Sequence, residues 1–172
     1  MAEAPGAGPI TTYLSGDHAR LEALLDASAP DAGGFVREPF DAFRAGLLRH
    51  IALEEKILFR AVREAGAGEA VLALLARLRV DHGALASLLV PTPSRALVVE
   101  IRSILQPHDA VEDGPDGVYE RCDALLGARA DELVERMRSH PPVKVAAYSD
   151  GPRVLRTAAD ALRASARQHG AR

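Results

Sequence analysis

The chain of 172 residues is long enough for one domain with a substantial core and too short for two full-sized ones. Its formal charge of −3 arises from interspersed acidic and basic residues, which gives no electrostatic case for a nucleic-acid or membrane partner. Hydrophobic residues make up 48 % and aromatic residues 4 %, with Ala, Leu and Arg abundant, so the composition predicts an all-α protein without a sheet of consequence.

Residues 1–12, rich in Ala, Gly and Pro, read as a flexible amino-terminal tail. They carry neither the basic start nor the apolar core of a secretory signal, and charges interrupt every apolar run before it reaches membrane-spanning length. Cys122 is the single cysteine, so no internal disulfide is available and a reduced, cytoplasmic setting is expected.

A first helix is predicted from Ser15 to Asp17, either of which can cap it, to about Ser28, with the turn at Asp31-Ala32-Gly33-Gly34. Its inward seam is Leu14, His18, Leu21 and Leu25. The second helix should run from about Glu38 to Ala65, tolerating Pro39 in its first turn and ending at Gly66 or Gly68. Its seam reads Phe40, Phe43, Leu47, His50, Glu54, Ile57 and Ala61, an apolar row broken by a histidine and a glutamate one turn apart. A third helix over about Glu69 to Val90 has the seam Val71, Leu75, Leu78, His82, Leu85 and Leu89.

The fourth helix starts near Ser94 and gives Val98, Ile101, Leu105, His108 and Glu112. Pro107 lacks a backbone donor and is expected to kink or break it, and Gly114-Pro115-Asp116-Gly117 interrupts the chain just beyond Glu112. Helix resumes over Val118 to Leu126 and Ala130 to Arg138. After His140 the pair Pro141-Pro142 ends the bundle, an extended connector comes next, and a last amphipathic helix is predicted from about Arg153 to Gln168. That helix sets Leu155, Ala158, Ala159 and Leu162 against Arg153, Arg156, Arg163 and Arg167, and it is the candidate surface for a second copy or a protein partner. The predicted organisation is thus a tail over 1–12, a metal-binding bundle over 13–139, and a linker with a carboxy-terminal helix over 140–172.

The halves repeat. Asp17-His18 with its following leucines resembles Asp81-His82, and His50-x-x-x-Glu54-Glu55 resembles His108-x-x-x-Glu112-Asp113. Two helical hairpins related by an approximate twofold axis would bring four imidazoles and two carboxylates together inside a bundle. Such carboxylates repel each other and are costly to desolvate, and a bound cation removes the penalty. Nitrogen and carboxylate donors without thiolate point to iron, manganese or zinc rather than an iron-sulfur cluster. The simplest assignment gives each of two metals a pair of imidazoles from His18, His50, His82 and His108, bridged by Glu54 and Glu112 and by one oxo or hydroxo group. Redox-active iron makes the fullest use of such a bridge.

Other polar residues have weaker claims. His140 and His169 fall outside the seams and are expected in solvent. Glu55 and Asp113 point about 100° away from their ligand neighbours on an ideal helix, for outer or surface roles. Glu22 reads as exposed, Tyr13 and Tyr119 as packing residues near the ligand layers, and Cys122 as a small helix residue.

The pattern His18, His50-Ile-Ala-Leu-Glu54-Glu55-Lys-Ile-Leu-Phe59, Asp81-His82 and His108-Asp-Ala-Val-Glu112-Asp113 resembles the hemerythrin-like, or HHE cation-binding, family over about residues 10–127. The resemblance implies an up-down-up-down four-helix bundle holding a non-haem di-iron centre, with the four histidines as terminal ligands and Glu54 and Glu112 as bridges. Oxygen-carrying hemerythrins place another histidine four residues after the third; here that position is Ala86. The tail beyond His140 is an addition to the domain. Three functions are compatible with the pattern: binding or sensing of dioxygen, nitric oxide or peroxide; a di-iron enzyme or iron donor in oxidative or nitrosative stress and iron-sulfur repair; and a structural or partner-binding bundle that retains a vestigial metal site. The open coordination positions favour the first.

Overall fold

A computed structural model describes residues 7–169, and among these there are helices and no strands. The helices are α1 (Pro9–Ser28), α2 (Arg37–Leu53), α3 (Phe59–Glu64), α4 (Glu69–Leu88), α5 (Arg95–Asp113), α6 (Val118–Leu126), α7 (Ala130–Arg138) and α8 (Ala158–His169). A π-helical turn, Glu54–Leu58, joins α2 to α3, so the two form one rod. No helix among the described residues is long and apolar enough to cross a membrane.

The apolar seams close into two core layers. One gathers Ile10, Leu14, Leu53, Leu58, Phe59, Leu75 and Leu78 with Met137. The other gathers Leu21, Leu25, Phe40, Phe43, Leu47, Leu85, Leu88 and Ile101. His18 lies between Leu14 and Leu21 on α1, His50 between Leu47 and Leu53 on α2, and His82 between Leu78 and Leu85 on α4. The polar layer is therefore sandwiched between two hydrophobic ones. Each fully buried large apolar side chain supplies about 1.5–3 kcal/mol, which offsets the cost of holding carboxylates in the middle.

Helix α1 begins at Pro9, earlier than the Ser15–Asp17 start expected from local signals. Its cap comes from another helix. The Ile10 and Thr11 amides each donate to the Asp123 carboxylate over 2.9 Å, and the Thr11 hydroxyl donates over 2.7 Å. A carboxylate at a helix amino terminus satisfies free amides and complements the dipole, whichever part of the chain supplies it. Of the expected tail, residues 1–6 lie outside the described residues, whereas Pro9 to Thr12 form the first turn of α1. Ser94 does cap α5, accepting from the Leu97 amide over 3.3 Å.

Pro107 does not break the fourth helix. Helix α5 is continuous from Arg95 to Asp113, and both Pro107 and Ser103, whose carbonyl loses its i+4 donor, are exposed, so the ring and the freed carbonyl face solvent. The last helix starts at Ala158 rather than near Arg153. Thr157 accepts from the Asp160 amide over 3.2 Å, and the Ala158 amide donates to Glu100 over 2.7 Å. Arg153 and Arg156 precede the helix, and its buried residues are Ala161 and Ser165 while Ala159 is exposed.

Between α7 and α8 the chain crosses the bundle as an extended strap with polar fasteners. The guanidinium groups of Arg37 and Arg44 sit 4.4 and 4.0 Å from the Tyr148 ring centroid, and Tyr148 bonds to Asp41. The Ser149 amide donates to the Val90 carbonyl over 3.0 Å, and Asp150 accepts from the Thr92 amide and hydroxyl. Helix α8 then packs on α4, where Gly83 leaves room for Ser165.

Candidate metal centre

All six residues predicted from the seams meet in one layer. His50, Glu54, His82, His108 and Glu112 are buried, and the His18 side chain is 10 % exposed. One group comprises Glu54, His82, His108 and Glu112; a second comprises His18, His50 and Glu112, so Glu112 belongs to both. In the first, His82 Nε2 is 3.1 Å from Glu54 Oε2 and His108 Nε2 is 3.3 Å from Glu112 Oε2. In the second, His18 Nε2 is 3.0 Å from His50 Nε2 and 3.4 Å from Glu112 Oε2. His50 Nε2 also approaches Glu54 Oε2 at 3.6 Å, which links the two groups through the other carboxylate. Glu112 is fully buried within this layer, beside the helix end that the glycines of 114–117 create.

Every ligand-layer imidazole turns its second nitrogen to a carboxylate. Nδ1 of His50 faces Asp17 at 2.9 Å and Nδ1 of His108 faces Asp81 at 3.2 Å. Nδ1 of His18 faces Asp113 at 2.6 Å and Nδ1 of His82 faces Glu55 at 3.0 Å. The pairs obey the repeat seen in the sequence: the aspartate before each first histidine holds the second histidine of its own half, and the acid after each glutamate holds the first histidine of the opposite half. A proton fixed on Nδ1 leaves the Nε2 lone pair of a neutral ring aimed at the centre, the orientation a metal requires.

Consecutive acidic residues cannot both face inward on a regular helix, and the two halves solve this differently. In the first, the π turn at Glu54–Leu58 widens the helix, so Glu54 reaches Nε2 and Glu55 reaches Nδ1 of the same His82 ring. In the second, α5 simply ends at Asp113, whose carboxylate bonds Ser15 as well as His18. Glu55 and Asp113 thus take the outer of their two expected roles. Asp17 and Asp81 were not singled out from sequence, although their recurrence before each histidine of the repeat carried the signal.

Tyr119 on α6 departs from its expected packing role. Its hydroxyl donates to Glu54 Oε1 over 2.6 Å and lies 3.1 Å from Glu112 Oε2, 3.1 Å from His18 Nε2 and 3.3 Å from His50 Nε2. The side chain is fully buried. Burial, reinforced by the charges of Glu112 and Glu54, pushes its phenol well above the ordinary range. Tyr13, in contrast, packs on the core beneath the Arg138 guanidinium.

Electrostatics in the metal-free chain shows what the layer lacks. Burial alone lowers the His18 pKa, but hydrogen bonds to Asp113 and Glu112 reverse this and raise it to about 11. Burial is likewise outweighed at His50, raised to about 9 by Glu54 and Asp17, and at His108, raised to about 10 by Glu112 and Asp81. His82 is raised by Glu54 and Glu55 against the same burial effect. Buried carboxylates demand positive charge, and protons on the imidazoles supply it here. Even so, Glu112 Oε1 is buried without a hydrogen-bond partner among the described residues, and His82 Nε2 and Glu54 Oε2, 3.1 Å apart, have no aligned hydrogen bond. Orphaned donor atoms of this kind, on residues whose other atoms are tightly held, fit a pair of divalent or trivalent cations.

A cavity of about 40 Å³ opens beside the layer, with the His18, His50 and His108 rings on one side and Phe43, Leu47 and Leu105 among its apolar walls. Glu22, Arg102 and Gln106 also line it, and Glu22 is exposed as expected. His140 is half-buried and His169 exposed, neither belonging to the ligand groups, and Cys122 is a core residue whose thiol burial pushes up to about 12.

The model of the Hemerythrin HHE cation binding domain matches residues 10–140. No curated protein and no solved structure matches the chain. The match ends where the strap begins and leaves the strap and α8 outside it.

Proposed function

The chain belongs to the Hemerythrin HHE cation binding domain family, and on that premise we propose that it is a non-haem di-iron protein that binds or senses dioxygen, nitric oxide or peroxide. His18 and His50 would hold one ion, His82 and His108 the other, and Glu54 and Glu112 would bridge them. A pair of iron ions bound there would supply redox chemistry and the binding of a small ligand. Zinc or manganese would satisfy the same donors without matching that chemistry as well.

The observation that carries the reading is the inequality of the two groups beside an apolar cavity. Glu54, His82, His108 and Glu112 cluster tightly around one position, whereas around the other His18 and His50 cluster with Glu112 and Glu54 stands off at 3.6 Å from His50, and both rings of this looser group line the cavity together with His108. A site for one water needs roughly 10–15 Å³, so about 40 Å³ gives room for a diatomic molecule or peroxide. Most of the lining surface is apolar, with Leu21, Leu25, Phe43, Leu47, Ile51 and Leu105 beside the polar Glu22, Arg102, Gln106 and Asp109, which favours a small uncharged ligand. Asp17 and Asp113 keep the two rings in place while a ligand enters and leaves.

Iron-loaded, anaerobically reduced protein should change its visible absorption on addition of nitric oxide or oxygen. An iron-loaded sample without any spectral response overturns the proposal.

A further inference from the structure

We propose that the phenol oxygen of Tyr119 is itself a metal ligand, joining His18, His50 and Glu112 around one ion. The inference rests on the reading that the two groups hold metal, and it adds a ligand from outside the repeated His and Glu motifs.

Donor-to-donor spacing points to this role. Metal bonds of about 2.0–2.1 Å separate neighbouring donors by roughly 3.0 Å at right angles and roughly 3.4 Å at the tetrahedral angle. His18 Nε2 is 3.0 Å from His50 Nε2 and 3.4 Å from Glu112 Oε2. The Tyr119 oxygen is 3.1 Å from His18 Nε2, 3.3 Å from His50 Nε2 and 3.1 Å from Glu112 Oε2. These five edges match a polyhedron drawn about a single cation.

Hydrogen bonding accounts for only part of this crowding. A hydroxyl has one proton to donate, and the shortest contact, 2.6 Å to Glu54 Oε1, uses it. Three further polar atoms, His18 Nε2, His50 Nε2 and Glu112 Oε2, crowd the Tyr119 oxygen with no phenol proton left for them. A cation among them would draw a lone pair from each, the rings giving up their Nε2 protons as it binds.

The repeat supplies no second tyrosine. At the other group Phe59 stacks on His82 with ring centroids 5.9 Å apart, and four donors are present without it. The looser group is the one Tyr119 joins. On binding, the phenolic O–H bond breaks, the oxygen–metal bond forms and the proton leaves to solvent, with no change of oxidation state.

The test loads wild type and Tyr119→Phe with ferrous iron anaerobically, measures bound metal and released protons, then oxidises both for visible absorption and resonance Raman spectra. Wild type should show a phenolate-to-ferric charge-transfer band with tyrosine ring modes that shift when ring-deuterated tyrosine is incorporated. Tyr119→Phe should keep iron, lose the band and release one proton fewer per chain. Iron bound by wild type without isotope-sensitive ring modes overturns the ligand assignment alone, and this arm needs no variant to fold. Persistence of the ring modes in Tyr119→Phe also overturns it. Iron at background in wild type overturns the metal reading and this inference together.

Discussion

Asp17 holds Nδ1 of His50 across the α1–α2 interface at 2.9 Å, while its own neighbour His18 is held by Asp113 from α5. The same crossing recurs in the other half through Asp81 with His108 and Glu55 with His82. Four carboxylates therefore orient four rings, and each is encoded next to a ligand that it does not itself support.

This cross-pairing separates the two ions experimentally. Asp17→Asn and Asp113→Asn should weaken iron binding at the His18/His50 position by about 10–100-fold, the usual effect of losing a carboxylate behind a ligand. Asp81→Asn and Glu55→Gln should do so at the His82/His108 position. Equilibrium iron titrations should resolve one weakened step in each variant, with helix content unchanged by circular dichroism.

Protons and metal compete for Nε2 of each ring. His50, His108 and His18 are raised to about 9, 10 and 11 in the metal-free chain, so iron must displace protons at neutral pH. Affinity should rise about tenfold per pH unit for each proton displaced. Stability follows the sign of the shifts: raised histidine values stabilise the metal-free fold fully below 6.5, and that contribution disappears as pH climbs through about 9 to 11. Thermal melts across this range should show the metal-free protein weakening while the iron-loaded protein holds.

The cavity beside His18 and His50 offers a control on ligand access. Leu105→Trp should fill it without replacing a ligand residue. Iron content should be unchanged, and the nitric oxide association rate should fall roughly tenfold, corresponding to ~1.4 kcal/mol of added barrier. Stopped-flow absorption measures it.

Docking of α8 depends on a missing side chain. A Cβ at Gly83 would collide with Ser165, whereas one at Gly16 meets nothing. Gly16→Ala should stabilise the protein by about 1 kcal/mol through helix propensity. Gly83→Leu should cost about 1–3 kcal/mol through overpacking. Hydrogen exchange should accelerate across Ala158–His169 in Gly83→Leu, with the bundle amides still protected.

The periodicity of the apolar seams determined the all-α class and the convergence of His18, His50, Glu54, His82, His108 and Glu112, because residues one helical turn apart share a face wherever the helix lies. It also exposed the repeat, since both halves carry the same acids beside the same ligands. Contacts between distant segments decided the rest. Asp123 caps a helix more than a hundred positions away, so Pro9 in the first turn was the one local sign of where α1 starts. Glu55 turns inward only because a π turn widens the rod, and an ideal helix sends it elsewhere. Tyr119 enters the centre from α6, at a spacing unrelated to either motif, because the packing of α6 on α1 and α5 aims its ring there. Sequence alone determined which residues face the interior; tertiary packing decided which atoms among them meet, because orientation across helices depends on crossings that no single helix records.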